Sequence, residues 1–105
     1  KSHGTGTLSN NKAERAAIES VFDGLYPVVT SYKQRIGHTM GASGLLETCL
    51  LIDDIRNGTV PAIANRTRKD DIFLSDPVYL GGSFNILSLA AGMGNIYSAA
   101  IFKTL

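Results

Sequence analysis

Residues 42–56 read Ala-Ser-Gly-Leu-Leu-Glu-Thr-Cys-Leu-Leu-Ile-Asp-Asp-Ile-Arg. On a helix, Leu45, Leu46, Cys49, Leu50 and Ile52 place apolar side chains around most of the circumference. A surface helix carries one apolar stripe, whereas a helix that is apolar nearly all round belongs in the interior. Such a segment has to be covered on more than one side, which predicts a layered fold with this helix deeply buried. Asn57-Gly58 supplies the stop.

The remaining elements alternate in type. Residues 3–9 form a loop rich in Gly, Thr and Ser. A helix is predicted over residues 11–22, with Asn10 or Asn11 as N-cap and Glu14 three residues on, as in a capping box. Its apolar stripe is read as Ala13, Ala17 (or Ala16), Val21 and Phe22, and Asp23-Gly24 ends it. Val28-Val29-Thr30 reads as a short buried strand, followed by a loop over residues 31–41. Residues 59–70 read as extended, then looped, and Ile72-Phe73-Leu74 as a short strand. Two apolar runs, residues 86–91 and 96–102, flank Gly92-Met93-Gly94-Asn95 and predict an antiparallel hairpin buried in a sheet. Helices interleaved with strands make this a layered α/β arrangement.

Composition narrows the function. With 105 residues the chain is one domain or part of one. A formal net charge of +1 gives no concentrated basic surface for nucleic acid or anionic lipid. The densest basic stretch, Arg66-Thr-Arg68-Lys69, is followed at once by Asp70 and Asp71. No apolar run is long enough to span a bilayer. A single cysteine excludes an internal disulfide and suits a reducing, cytoplasmic setting. The chain opens on a glycine-rich loop of a type that usually follows a strand, which predicts a preceding strand from this chain or another.

Three groups of residues carry chemistry. In His3-Gly4-Thr5-Gly6-Thr7 a histidine sits on a loop whose glycines permit tight backbone angles and leave room for a ligand. In Ser31-Tyr32-Lys33-Gln34-Arg35-Ile36-Gly37-His38-Thr39-Met40-Gly41-Ala42-Ser43-Gly44, a lysine and a histidine lie five residues apart and lead into the apolar helix. The positive end of that helix favours a neutral imidazole at His38, which can donate a hydrogen bond to a developing oxyanion. Lys33 adds to the same effect, unless it is a surface lysine. Glu47 falls among apolar residues of the helix. It either pairs with Lys33, as a buried carboxylate must pair, or lies on the helix's one polar edge.

The two long motifs in this order, with Glu14 on the helix between them, resemble the C-terminal half of the β-ketoacyl synthases, the condensing enzymes of fatty acid and polyketide synthesis. The likeness is close over residues 3–61. It implies the thiolase-like fold, with residues 1–105 an incomplete C-terminal domain whose mixed sheet packs on helices. It implies that His3 and His38 stabilise the enolate formed when a malonyl thioester loses carbon dioxide. Lys33 matches the active-site lysine and Glu47 its carboxylate partner, and Thr5 and Thr7 are supporting residues of the site. No metal or cofactor is implied. The implied partners are an acyl carrier protein, the N-terminal half of the synthase, and a second subunit in a homodimer or a synthase-like heterodimer. The nucleophilic cysteine belongs to that N-terminal half. Cys49, beside Leu46, Leu50 and Leu51, reads as a buried and inert thiol.

The sequence departs from the family at two places. Asn11 stands where Asp is usual. The family's Gly-Phe-Gly-Gly-Thr-Asn turn, whose backbone N–H serves an oxyanion hole, is matched best by Gly92-Met93-Gly94-Asn95, with Met93 in place of the gating phenylalanine. Gly81-Gly82-Ser83-Phe84-Asn85 also looks like the family's glycine pair and asparagine but lies too far before the C-terminus, so the later match is preferred. Besides an active condensing half, a non-catalytic synthase-like partner of the chain-length-factor type shares this fold, and so does a thiolase-type degradative enzyme. Retention of His3, Lys33 and His38 favours the condensing enzyme, and the unusual tail around Met93 argues the other way.

Overall fold

The computed structural model describes residues 1–25, 27–63 and 76–105. The predicted strand at residues 72–74 and the basic stretch at residues 66–69 lie outside them.

Helix α1 spans Leu8–Phe22 and begins earlier than its sequence pattern suggests. Its N-cap is Thr7, in extended conformation, whose hydroxyl accepts a hydrogen bond from the Asn10 N–H. Asp23, at φ 46°, ends the helix in the left-handed region. The buried residue is Ile18, which joins Val29, with Phe22 and Ile63 packed against them. The expected stripe of Ala13, Ala17 and Val21 faces solvent instead. One residue along a helix turns the face by about 100°. Ile18 wins the inner face from Ala17 because it buries far more apolar area.

The single-turn helix α2 covers Lys33–Ile36. Helix α3 spans Ser43–Arg56, preceded by a 3₁₀ turn over Met40–Ala42. It packs against β1 (Thr59–Val60) and β3 (Asn85–Gly92). The close approach to β3 occurs at Gly44, where an added Cβ would lie 3.4 Å from the Ala90 Cβ. The expectation of a helix buried all round is corrected. Leu51 is buried, but Leu45 is 75% exposed, and Leu46, Ile52 and Cys49 are also exposed. Cys49 is therefore not the buried thiol that its neighbours suggest. Among the described residues, no layer covers that side of α3.

The sheets are small. β1 pairs antiparallel with β2 (Val78–Tyr79), and β3 with β4 (Ile96–Lys103), Ser88 opposite Ala100. The second pair is the predicted hairpin, turning through Gly94 and Asn95, both at positive φ. It is not buried as predicted, since most of β4 faces solvent. The predicted strand at residues 28–30 is reduced to a single bridge residue, Val29.

On the other edge of β3 lies the start of the chain. The Lys1 main-chain nitrogen donates to Leu87 O at 2.7 Å, and Leu89 N donates to Lys1 O at 2.9 Å. Two bonds flanking one residue are the pattern of a parallel pair. Ser2 N donates to Thr30 O at 2.9 Å, so Lys1 and Ser2 run between β3 and residue 30.

The chain leaves this ladder at Gly4, at φ +60°. A Cβ there would lie 2.4 Å from the Ser31 Cβ and 2.7 Å from its Oγ. Gly24 has φ +81° with nothing within 4 Å of such a Cβ. Gly24→Ala is expected to cost only backbone strain, about 1 kcal/mol. Gly4→Ala adds a clash with a buried neighbour and is expected to cost about 3 kcal/mol or more. Thermal melts of the two variants check the difference.

Candidate active site

The site is assembled where four pieces meet: the Lys1–His3 segment, α2, the start of α3, and the end of β3. Lys33, predicted on a loop, opens α2. Its place is fixed by its neighbour Tyr32, which is fully buried and donates its hydroxyl hydrogen to Asp54 Oδ2 on α3 at 2.7 Å. Burial first, and then the Asp54 carboxylate, push the Tyr32 hydroxyl pKa far up, so it stays a donor.

Glu47 is the centre of the buried charge. The residue has 0% exposure, which excludes the solvent-facing alternative. Lys33 Nζ donates to Glu47 Oε1 at 2.6 Å, and the Ser43 hydroxyl donates to the same oxygen. Lys1 Nζ lies 3.0 Å from Oε2, an ion-pair contact without hydrogen-bond alignment. Burial alone pushes the Glu47 carboxyl pKa up. The bonds from Lys33 and Ser43, with Lys1, outweigh it and hold the carboxyl below its usual range.

Lys33 also donates to the main-chain oxygen of His3 at 2.6 Å. In a continuing parallel ladder that oxygen would accept the next N–H of β3, from Ala91. With it committed to Lys33, the Ala91 N–H goes to the His3 ring instead, donating to Nδ1 at 3.2 Å. An imidazole that accepts at Nδ1 is neutral and carries its proton on Nε2. His38 is set in the same way: its Nδ1 accepts from the Met40 N–H at 3.1 Å. Met40 turns that N–H back by adopting φ 53°, an uncommon angle for a residue with a side chain.

The two rings meet edge to face, their centroids 5.8 Å apart at 82°. Both line a cavity of about 250 Å³ together with Met40, Gly44, Ala91 and Ile96. The arrangement therefore presents two neutral N–H donors to one space, with a cation behind His3. It can bind and stabilise an oxygen that gains negative charge. Cys49 does not line this cavity.

The family described as "Beta-ketoacyl synthase, C-terminal domain" matches residues 1–67. The chain belongs to the β-ketoacyl synthase family. The C-terminal domain of these synthases is half of a thiolase-like fold. The chain is 34% identical to the tetracenomycin polyketide synthase ketoacyl synthase alpha subunit of Streptomyces glaucescens, over 94% of this chain and 25% of that protein. It is 38% identical to nodulation protein E of Rhizobium leguminosarum bv. trifolii, over 96% of this chain and 26% of that one. It is also 38% identical to 3-oxoacyl-[acyl-carrier-protein] synthase 2 of Coxiella burnetii, over 66% of this chain and 17% of that one. The chain thus spans about a quarter of the length of the first two of these relatives. No solved structure matches it.

Against the synthase pattern, the structure brings together His3, His38, Lys33, Glu47 and Gly92. It does not bring Thr5, Thr7, Met93 or Gly94 into the cavity. The hydroxyls of Thr5 and Thr7 lie 3.3 Å apart at the entry to α1. Met93 stands at the hairpin tip, 86% exposed, with Gly94 beyond it.

Sequence reasoning missed three contributors. Glu14 is not a capping-box residue for α1. Its carboxylate accepts the main-chain N–H groups of His3 at 2.5 Å and Gly4 at 2.9 Å, with Asn10 Nδ2 at 2.7 Å. Ser43 serves Glu47, which its spacing of four residues on one helix face could have signalled. Lys1 lies two residues before His3, and alternate residues of an extended segment share a side.

These contacts can be tested. Glu14→Ala leaves the His3 and Gly4 N–H groups without their charged acceptor and is expected to cost about 2–4 kcal/mol, read by denaturant unfolding. Burial first, and then the Lys33 charge, lower the His3 pKa below its ordinary value. The unfolded chain therefore takes up this proton at a higher pH than the folded one. The stability that neutral His3 permits is complete above about pH 6.5 and declines as pH falls through the ordinary value towards the folded one. Unfolding measured between pH 8 and 5 should show this decline, and His3→Gln should flatten it.

Proposed function

We propose that this chain supplies the charge-stabilising half of a condensing enzyme that joins an acyl thioester to malonyl-acyl carrier protein with loss of carbon dioxide. The observation that carries this reading is the pair of Nε2–H donors on one cavity, each fixed as a donor by a backbone N–H at its own Nδ1. In this reading the malonyl thioester oxygen lies between the two donors. When the bond to carbon dioxide breaks, its electron pair moves onto the thioester as an enolate. The negative charge gathers on the oxygen that His3 and His38 hold. No base is needed, because carbon dioxide departs instead of a proton. The enolate carbon then attacks the acyl thioester on a cysteine of the N-terminal half, a carbon–carbon bond forms, and the cysteine thiolate leaves.

Neutral donors suit this chemistry. An imidazolium would be a stronger donor, but it would forfeit the bond at Nδ1 and with it the ring's orientation. Burial first, and then the Lys33 charge behind it, keep the His3 ring neutral, and that charge adds a positive potential at the site. The partners in this reading are an acyl carrier protein, the N-terminal half of the synthase, and a second synthase-type subunit. The apolar side of α3, with Leu45 and Cys49, and the outer face of β4 are the surfaces that such partners would cover. Among the described residues no helix is long and apolar enough to cross a membrane. We place the protein in the cytoplasm, where its single thiol stays reduced.

The test uses the whole synthase with malonyl-acyl carrier protein and follows carbon dioxide release. Removing one preorganised donor from a developing oxyanion typically costs about 10²–10³ in rate. His3→Ala and His38→Ala are each expected to lower release by about that factor. Release unchanged in both variants would overturn the reading and leave a non-catalytic partner subunit as the role of this fold.

A further inference from the structure

Lys1 takes no part in the condensation as just derived, yet it is built into the site. Its side chain has 0% exposure, as has that of Glu47. Its ammonium donates to Leu89 O on β3 at 2.8 Å and faces Glu47 Oε2 at 3.0 Å. Lys33 holds the other carboxylate oxygen, Oε1, at 2.6 Å. One buried carboxylate thus stands between two ammonium groups, one to each oxygen. Oε2 has no hydrogen bond of its own among the described residues.

This division of the carboxylate has a consequence for His3. Lys33 spends one N–H on Oε1 and another on the His3 carbonyl. Without Lys1, Oε2 would be a buried, uncompensated half of a charge. The nearest cation is Lys33, and the carboxylate would turn to offer it both oxygens. That pulls Nζ away from the His3 carbonyl. The freed carbonyl is the natural ladder acceptor for the Ala91 N–H, which would return to it from the ring. Nδ1 of His3 would then have no donor, and nothing would fix which nitrogen carries the proton.

We propose that Lys1 is a positioning residue. By holding Glu47 Oε2, it keeps Lys33 on the His3 carbonyl, the Ala91 N–H on the His3 ring, and the His3 proton on Nε2, where the reaction uses it. The link runs through Glu47, so the effect of Lys1 on His3 depends on the carboxylate. The consequence for turnover rests on the condensing function proposed above. The consequence for the His3 ring does not.

The experiment is a mutant cycle in the whole synthase with Lys1→Met, Glu47→Gln and the double variant, together with Lys1→Gln. Lys1→Gln keeps a donor for Oε2 and guards against misfolding of the apolar substitution. Two signals are read. Histidine-selective ¹⁵N NMR at neutral pH reports the His3 tautomer, which in the parent protein is Nε2–H. It is expected to become a mixture in Lys1→Met and, to a smaller extent, in Lys1→Gln, and to change no further when Lys1→Met is added to Glu47→Gln. Kinetics with malonyl-acyl carrier protein are expected to show kcat lower by about tenfold or more in Lys1→Met with KM unchanged, the mark of a misplaced group. A His3 tautomer unchanged in both Lys1 variants overturns the inference. So does a Lys1→Met effect of the same size with and without the Glu47→Gln substitution, since Lys1 would then act independently of the carboxylate. If the parent protein releases no carbon dioxide, the condensing function fails, and the NMR cycle still decides the role of Lys1.

Discussion

The carboxylate of Glu47 is the constraint around which this domain is arranged. A bare carboxylate in a fully buried position is too costly to keep ionised without partners. Its partners come from three directions: Lys33 on α2, Ser43 one turn earlier on α3, and Lys1 beside β3. Each partner can reach Glu47 only if its own element lies in one place. The main apolar cluster of Ile18, Val29, Phe22 and Ile63 lies beside α1. Polar satisfaction does for the site what apolar packing does for α1. A buried network specifies geometry when every member is satisfied, and here the one oxygen without a hydrogen bond still faces an ammonium.

From that charge the arrangement reaches the chemistry through the backbone. Lys33 takes the His3 carbonyl out of the ladder along β3, and the ring of His3 replaces it. The tautomer of His3 is thus set by a main-chain N–H at a strand edge, which Lys33 frees for the ring by taking the His3 carbonyl. Glu14 secures the same residue from the other side by accepting the His3 and Gly4 N–H groups. His38 reaches an equivalent state by a different route, through the left-handed backbone of Met40. Both solutions use a main-chain N–H, whose position is fixed by the fold and costs no side-chain entropy. Donors held this way need little reorganisation when charge develops, which is the property that lowers a barrier.

Much of this was legible in the sequence, for reasons that can be named. His3, Lys33, His38 and Glu47 lie in motifs whose glycines and small residues serve close approach, and the structure places them together. The stops at Asp23 and Asn57 and the turn at Gly94 and Asn95 are local backbone chemistry, and local chemistry is read well from sequence. Other features were not legible, because they depend on what lies across space. Glu14 fits a capping box by spacing, yet its carboxylate is claimed by His3 and Gly4, about ten residues away in the chain. Ile18 rather than Ala17 turns inward because Val29 waits there. Thr5 and Thr7 belong to the histidine's motif, but they serve the entry to α1. Cys49 reads as buried only if apolar neighbours in sequence are also neighbours in space, and on that side of α3 the described residues provide none.

The division of labour between α3's two sides ties these observations together. The side that carries Ser43, Glu47 and Leu51 is buried and anchors the site. The opposite side, with Leu45 and Cys49, is apolar and open. Gly44 lies at the boundary, letting the first turn of α3 come close to Ala90 of β3. A larger residue there would push the start of α3 outward and carry His38, which the 3₁₀ turn joins to α3, away from His3. The small residues of the motif are thus spacers that set the distance between two rings mounted on different elements. The uncovered apolar face is the complementary part of the same design. The helix that holds the charge on one side leaves an apolar side open on the other, and in the reading proposed above a partner docked there would press on the element that carries Glu47.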